Sequence, residues 1–124
     1  MWSKIILLLL FPILLYSCYN AERNCADFKT GKFKSEITIN GEKKHTISIR
    51  TDSIVIETYE GKTDTASIRW INDCEYVLQK INPKSMAEKK AIDIKILTTS
   101  KNSYTFEFGV VGSADKQKGV AYKL

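Results

Sequence analysis

From Lys32 to the C-terminus, apolar residues recur at every second position in short runs separated by turn-forming residues. Period-two patterning puts successive side chains on opposite faces, so each run reads as a strand with one dry and one wet face. We expect about eight strands. The first covers Lys32 to Ile39, with Phe33, Ile37 and Ile39 on one face, and the second Lys43 to Arg50, with His45, Ile47 and Ile49 on one face. Ile54 to Tyr59 is the third. Thr63 to Trp70 is the fourth, with Ala66, Ile68 and Trp70 inward, and Cys74 to Ile81 the fifth, with Tyr76 and Leu78 inward. A loop at Asn82-Pro83-Lys84 and one helical turn at Ser85 to Lys90 precede the sixth, Ile92 to Thr99. Tyr104 to Val111 is the seventh, with Tyr104, Phe106, Phe108 and Val110 aligned, and Gly119 to Leu124 the last.

Asn40-Gly41 between the first two strands is a strong hairpin signal. A two-residue turn there would pair Ile39 with Glu42 and Ile37 with Lys44, turning Ile47 and Ile49 away from the face that holds Ile37. A three-residue loop, Asn40 to Glu42, pairs Ile37 with His45 and Phe33 with Ile49; such a loop, or a bulge near Gly41, is what we expect. Tight turns imply an antiparallel meander. A flat sheet of this size leaves two open edges and a bare apolar face, which closure removes. The expected architecture is all-β, a small up-and-down barrel; a half-closed barrel or a two-sheet sandwich is the alternative.

The N-terminus has a different character. Lys4 is followed at residues 5–16 by IILLLLFPILLY, twelve residues without a charge. A spanning helix needs about 20, and Pro12 weakens a long one. A basic start, a short apolar segment and the small Ser17 are the parts of a secretory signal. Leu15-Tyr16-Ser17-Cys18 resembles the bacterial lipobox, whose Cys carries lipid as the first residue of the mature chain; Tyr16 departs from the usual small residue. The segments expected are thus a signal peptide at 1–17, a lipidated tether at 18–30 and a β domain at 31–124. Several acyl chains would hold such a protein stably on a membrane. Tyr19 after Cys18, where an Asp would favour the inner membrane, points by resemblance to the outer membrane.

With Cys18 taken by lipid, Cys25 and Cys74 remain, an even pair in an oxidising compartment. A bond between them would close a loop of about 50 residues, worth roughly 4 kcal/mol on the chain-entropy relation. The alternatives are two separate thiols or half of a metal site. A single His and the absence of a CxxC spacing argue against zinc.

Three segments carry a family resemblance: Asn24-Cys25-Ala26-Asp27-Phe28-Lys29-Thr30-Gly31, Asp64 to Glu75 around Trp70 and Cys74, and Asn82-Pro83-Lys84-Ser85-Met86. Through them the mature chain resembles a group of small envelope lipoproteins of flavobacteria and their relatives in the Bacteroidetes. Members of that group often bear the label DNA topoisomerase IV. The residues here do not support that activity: no phosphate-binding glycine loop is present, and 124 residues cannot house an ATP site, a nucleophilic tyrosine and large moving domains. More loosely, the alternation and the Gly31-Lys32-Phe33 start resemble lipocalin-like envelope domains, in architecture only.

No combination of residues reads as an enzyme. His45 is the single histidine, and the Ser or Cys nucleophile it would serve has no fixed place beside it; a barrel-rim residue is the plainer reading. Asp73 and Glu75, and Glu57 and Glu60, are paired carboxylates of the kind glycosidases use, but they fall at turns or outward positions and read as solvated strand ends. Without Lys4, 18 basic residues face 14 acidic ones, a net charge of +4. The charges are interleaved rather than grouped, and an envelope address removes the usual nucleic-acid partner. We expect no cofactor and no metal.

Aromatic residues are the main functional lead. Phe33, Trp70, Tyr76, Tyr104, Phe106 and Phe108 share the inward phase. An eight-stranded barrel either fills its interior with side chains or holds one small ligand. The candidate ligand-lining set is these six with His45; Trp70, Tyr76 and Tyr104 are placed at a cavity mouth, with His45 and Arg69 as polar contacts. Val55, Tyr59, Val77 and Leu97 are read as an outward apolar surface for a second partner. Two functions follow: a lipid-anchored module binding a small apolar ligand, or an accessory lipoprotein docking its outer face on an envelope protein.

Overall fold

Asn40 and Gly41 both take positive φ, 51° and 79°, the backbone of a two-residue type I′ hairpin. They join β1 (Gly31–Ile39) to β2 (Glu42–Arg50), pairing Ile39 with Glu42 and Ile37 with Lys44. This is the register the isoleucine pattern of β2 argues against, and neither the three-residue loop nor a bulge near Gly41 forms. The computed structural model describes residues 23–124; the segment expected to be a signal peptide, 1–17, and Cys18, the expected lipidation site, lie outside the described residues.

The meander continues through β3 (Ile54–Tyr59), β4 (Lys62–Asn72), β5 (Glu75–Lys80), β6 (Ile92–Thr99), β7 (Ser103–Val110) and β8 (Gln117–Lys123). Each strand pairs antiparallel with the next, and β8 pairs with β1 from Phe33↔Lys123 to Ile37↔Gly119, closing the barrel. Closure satisfies the backbone groups of both edges. Between β5 and β6 the expected helical turn is a pair of hydrogen-bonded turns, with Lys89 N donating to Ser85 O and Lys90 N to Ala87 O.

One barrel end is stoppered. Cys25–Phe28 form a short 3-10 helix whose Cys25 and Phe28 are buried. The Cys25–Cys74 disulfide ties this helix to the β4–β5 turn. Arg23 Nη1 donates to Ile96 O at 3.1 Å and Lys123 Nζ to Asp27 O at 2.7 Å. Phe28 packs edge-on against Tyr104, with centroids 5.1 Å apart. Above this stopper lies the packed half of the core, Phe33, Ile68, Tyr76, Ile96, Tyr104 and Ala121.

Gly119 on β8 has a steric role. A Cβ there would lie 2.6 Å from Phe106 Cζ, 2.7 Å from Ile37 Cγ2 and 2.9 Å from Glu36 O. Only a residue without a side chain lets Phe106 and Ile37 meet across β8.

Candidate functional site

The half of the barrel away from the stopper is not filled. It holds a cavity of about 370 Å³ that opens to solvent at its mouth, within the usual range for small-molecule sites. Its walls differ in chemistry. Ile37, Leu78, Ile92, Ile94, Phe106 and Phe108 make an apolar side. Ser35, Thr46, Ser48 and Glu57 make a polar side on β1, β2 and β3. The ladders bring these together: Ser35 pairs with Thr46, and Ser48 pairs with Glu57. Ala87, Glu88 and Lys90, from the segment between β5 and β6, stand at the mouth with Lys80. Lys80 Nζ bridges Glu88 at 3.0 Å and Asp64 at 3.3 Å, and Glu88 Oε2 accepts from the Lys84 N–H at 2.6 Å. These contacts tie the connecting segment to the barrel rim.

The floor is a buried cation. Arg50 is 5% exposed. Its Nη1 donates to Phe28 O at 2.6 Å, and its Nη2 donates to the Tyr104 hydroxyl at 2.7 Å and the Tyr76 hydroxyl at 3.2 Å. The guanidinium also lies 4.3 Å from the Phe33 ring centroid, a cation–π contact that strengthens when desolvated. Burial works against the charge, but the facing Tyr76 and Tyr104 hydroxyls hold Arg50 protonated, above its ordinary range. Burial pushes the Tyr76 hydroxyl well up, so it stays neutral.

Glu57 faces the same interior. Burial pushes its carboxyl up; Arg50 and Lys80 pull it down and Asp64, its ladder partner on β4, pushes it up further, leaving a net rise. Among the described residues Arg50 makes no salt bridge, so Glu57 balances it across the cavity rather than by contact.

The expected lining residues divide. Tyr76, Tyr104, Phe106 and Phe108 line the cavity, but Tyr76 and Tyr104 are at its floor, not its mouth. Phe33 is fully buried beneath Arg50. Trp70 is half-buried at the stoppered end, 4.6 Å from the Tyr76 ring, with Lys29 Nζ 5.3 Å from its own ring centroid. His45 points outward and sits 3.4 Å from Glu36. Arg69 is exposed on the outer face. Two readings of phase are corrected: Val55 is 1% exposed and inward, and Glu57 is an interior group rather than a solvated strand end.

The isoleucine pattern hides the polar wall, because it marks Ile47 and Ile49 as the inner face of β2. They are on the outside, Ile49 being 48% exposed, while Thr46, Ser48 and Arg50 point in. The available signal was the Asn40-Gly41 pair, whose two-residue geometry carries the phase of Phe33 and Ile37 onto Thr46, Ser48 and Arg50. No protein-family model, curated protein or solved structure matches this chain.

Proposed function

We propose that this protein is a lipid-anchored envelope lipoprotein that holds one small, mainly apolar molecule in its barrel. The cavity carries the reading: an interior of about 370 Å³ left open above a packed floor. Large-to-small gaps in a core are destabilising by themselves, so a retained cavity with a built apolar wall favours an occupant. The lipobox at Leu15-Tyr16-Ser17-Cys18 supports the anchor, the membrane partner being engaged through lipid on Cys18, and Tyr19 supports the outer membrane. The reading is one of binding rather than catalysis, and it does not include nucleic acid or the topoisomerase label of the group it resembles.

Native mass spectrometry of residues 19–124 purified from its own envelope tests the reading. A small bound mass that survives purification supports it, and a clean apo mass together with no uptake of apolar probes overturns it. For the anchor, Cys18→Ala should release the protein from membranes, and unchanged retention would sink that part.

A second reading has its own observation. Ile47, Ile49, Ile54 and Ile56 lie together on the outer face of β2 and β3, with Ile49 opposite Ile56. This stripe replaces the one expected through Val55, Tyr59 and Val77. It suits docking on an envelope protein. A photo-reactive residue at position 56 should then give one discrete adduct in the native envelope, and Ile49→Lys should abolish it.

A further inference from the structure

The cavity is amphipathic, and its polar wall has a definite sign. The cation in the barrel has three of its five N–H donors engaged. Arg50 gives Nη1 to Phe28 O and Nη2 to the two tyrosine hydroxyls, and its Nε is buried without a partner among the described residues. With both Nη2 hydrogens used and Nε buried, it offers an anion in the cavity no bidentate fork.

What the wall does offer is acceptors. The Glu57 carboxyl is open to the cavity, and among the described residues it makes no hydrogen bond or ion pair. Ser48 is its direct ladder partner, is 3% exposed, and its hydroxyl likewise has no partner among the described residues. Thr46 and Ser35 continue this row of hydroxyls. Buried polar groups are normally hydrogen-bonded, so groups left open on one wall of a cavity mark where a ligand's polar atoms belong.

We propose that the bound molecule is amphipathic with a hydrogen-bond-donating head, an alcohol or an amine, set against Glu57 and Ser48, its apolar body lying on Leu78, Ile92, Phe106 and Phe108. A carboxylate head is disfavoured there, because it would face the Glu57 carboxylate in a low-dielectric interior. A hydroxyl or ammonium instead completes a charge-assisted hydrogen bond. The proposal rests on the binding reading above and adds the chemistry of the head.

The test is displacement of the neutral apolar dye N-phenyl-1-naphthylamine at neutral pH by decylamine, 1-decanol and decanoate, each below its aggregation concentration. Every ladder, the stopper and the disulfide fall within residues 23–124, so the chain from Tyr19 carries the whole folded unit and serves as the sample. Decylamine and decanol should displace the dye about tenfold more strongly than decanoate, the factor one such hydrogen bond supplies. Glu57→Leu should bind the dye as before and lose the preference. Glu57→Gln, which keeps the shape and one acceptor, should retain the decanol preference and lose that for decylamine. Decanoate matching or exceeding the other two overturns the head assignment while leaving the binding reading intact, as does a preference that survives in Glu57→Leu. Failure of the dye to bind wild type at all overturns the binding reading itself.

Discussion

Arg50 Nη1 and the Phe28 carbonyl oxygen are 2.6 Å apart, a hydrogen bond that joins the wall of the barrel to its stopper. The same guanidinium reaches Tyr76 and Tyr104, so one side chain ties β2, β5, β7 and the 3-10 helix together. Buried charge is tolerated here because each engaged nitrogen meets an acceptor and the flat cation rests on Phe33.

Removing Arg50 therefore leaves acceptors behind. Arg50→Met keeps the volume and the apolar stem but strands the Phe28 carbonyl and two phenols. We expect a loss of about 2–4 kcal/mol in urea unfolding. A variant as stable as wild type would show that the acceptors find other partners.

Glu57 makes a pH prediction. Its folded carboxyl titrates above its unfolded value, so over that interval the native state binds more protons than the unfolded chain. Stability then falls with rising pH, the contribution being complete below the unfolded value of about 4.3 and lost through the raised folded one. Glu60 and Glu88 shift downward and slope the other way. The diagnostic is thus the difference between wild type and Glu57→Gln. Subtracting the two unfolding curves should leave a stability that declines with pH from about 4.3 upward. A flat difference would mean that Glu57 is solvated like an ordinary carboxylate.

Gly119 tests the packing between β8 and the cavity. Gly119→Ala puts a Cβ within 3 Å of Phe106, Ile37 and the Glu36 carbonyl. Overpacking of this kind costs about 1–3 kcal/mol, and the relief available to Phe106 is to swing into the cavity. We expect a lower Tm together with weaker uptake of apolar dye. Unchanged dye uptake would indicate that the backbone of β8 moves instead.

The disulfide should hold both the fold and the stopper. Replacing Cys25 and Cys74 by Ala removes a cross-link spanning 49 residues of sequence, for a loss of about 4 kcal/mol. Amide exchange should rise first over Cys25–Phe28, since that single turn is then tied to the barrel by side-chain contacts, the Arg50 and Lys123 hydrogen bonds and the packing of Phe28, rather than by a backbone ladder. Uniform loss of protection across the barrel would argue instead that the stopper and barrel unfold as one unit.

Much of the architecture was legible along the chain. Alternation placed all eight strands within a few residues of their observed ends, and the inward sets on β4 through β7 follow directly from it: Ala66, Ile68 and Trp70, then Tyr76 and Leu78, Ile92 to Ile96, and Tyr104 to Phe108. On those strands the larger apolar residues do face the interior. On β2 the rule fails because the isoleucines, Ile47 and Ile49, are on the outer face while Thr46, Ser48 and Arg50 face in; on β3 it fails because both faces carry isoleucine or valine and the inner face also carries Glu57. Hydrophobicity alone then points to the wrong side of β2, and carries His45 inward with it.

Read along the chain, the residues establish a meander with dry and wet faces and a turn at Asn40-Gly41, and they offer Cys25 and Cys74 as candidates for a bond. They do not determine which face of β2 is the inner one. A single strand shows only that its faces differ, and the choice depends on partners remote in sequence. Arg50 is held inside by groups 22, 26 and 54 residues away, none of them visible until the barrel closes. Closure also decided that the interior is filled at one end and open at the other, because the stopper brings Phe28 and its carbonyl to only one end of the barrel.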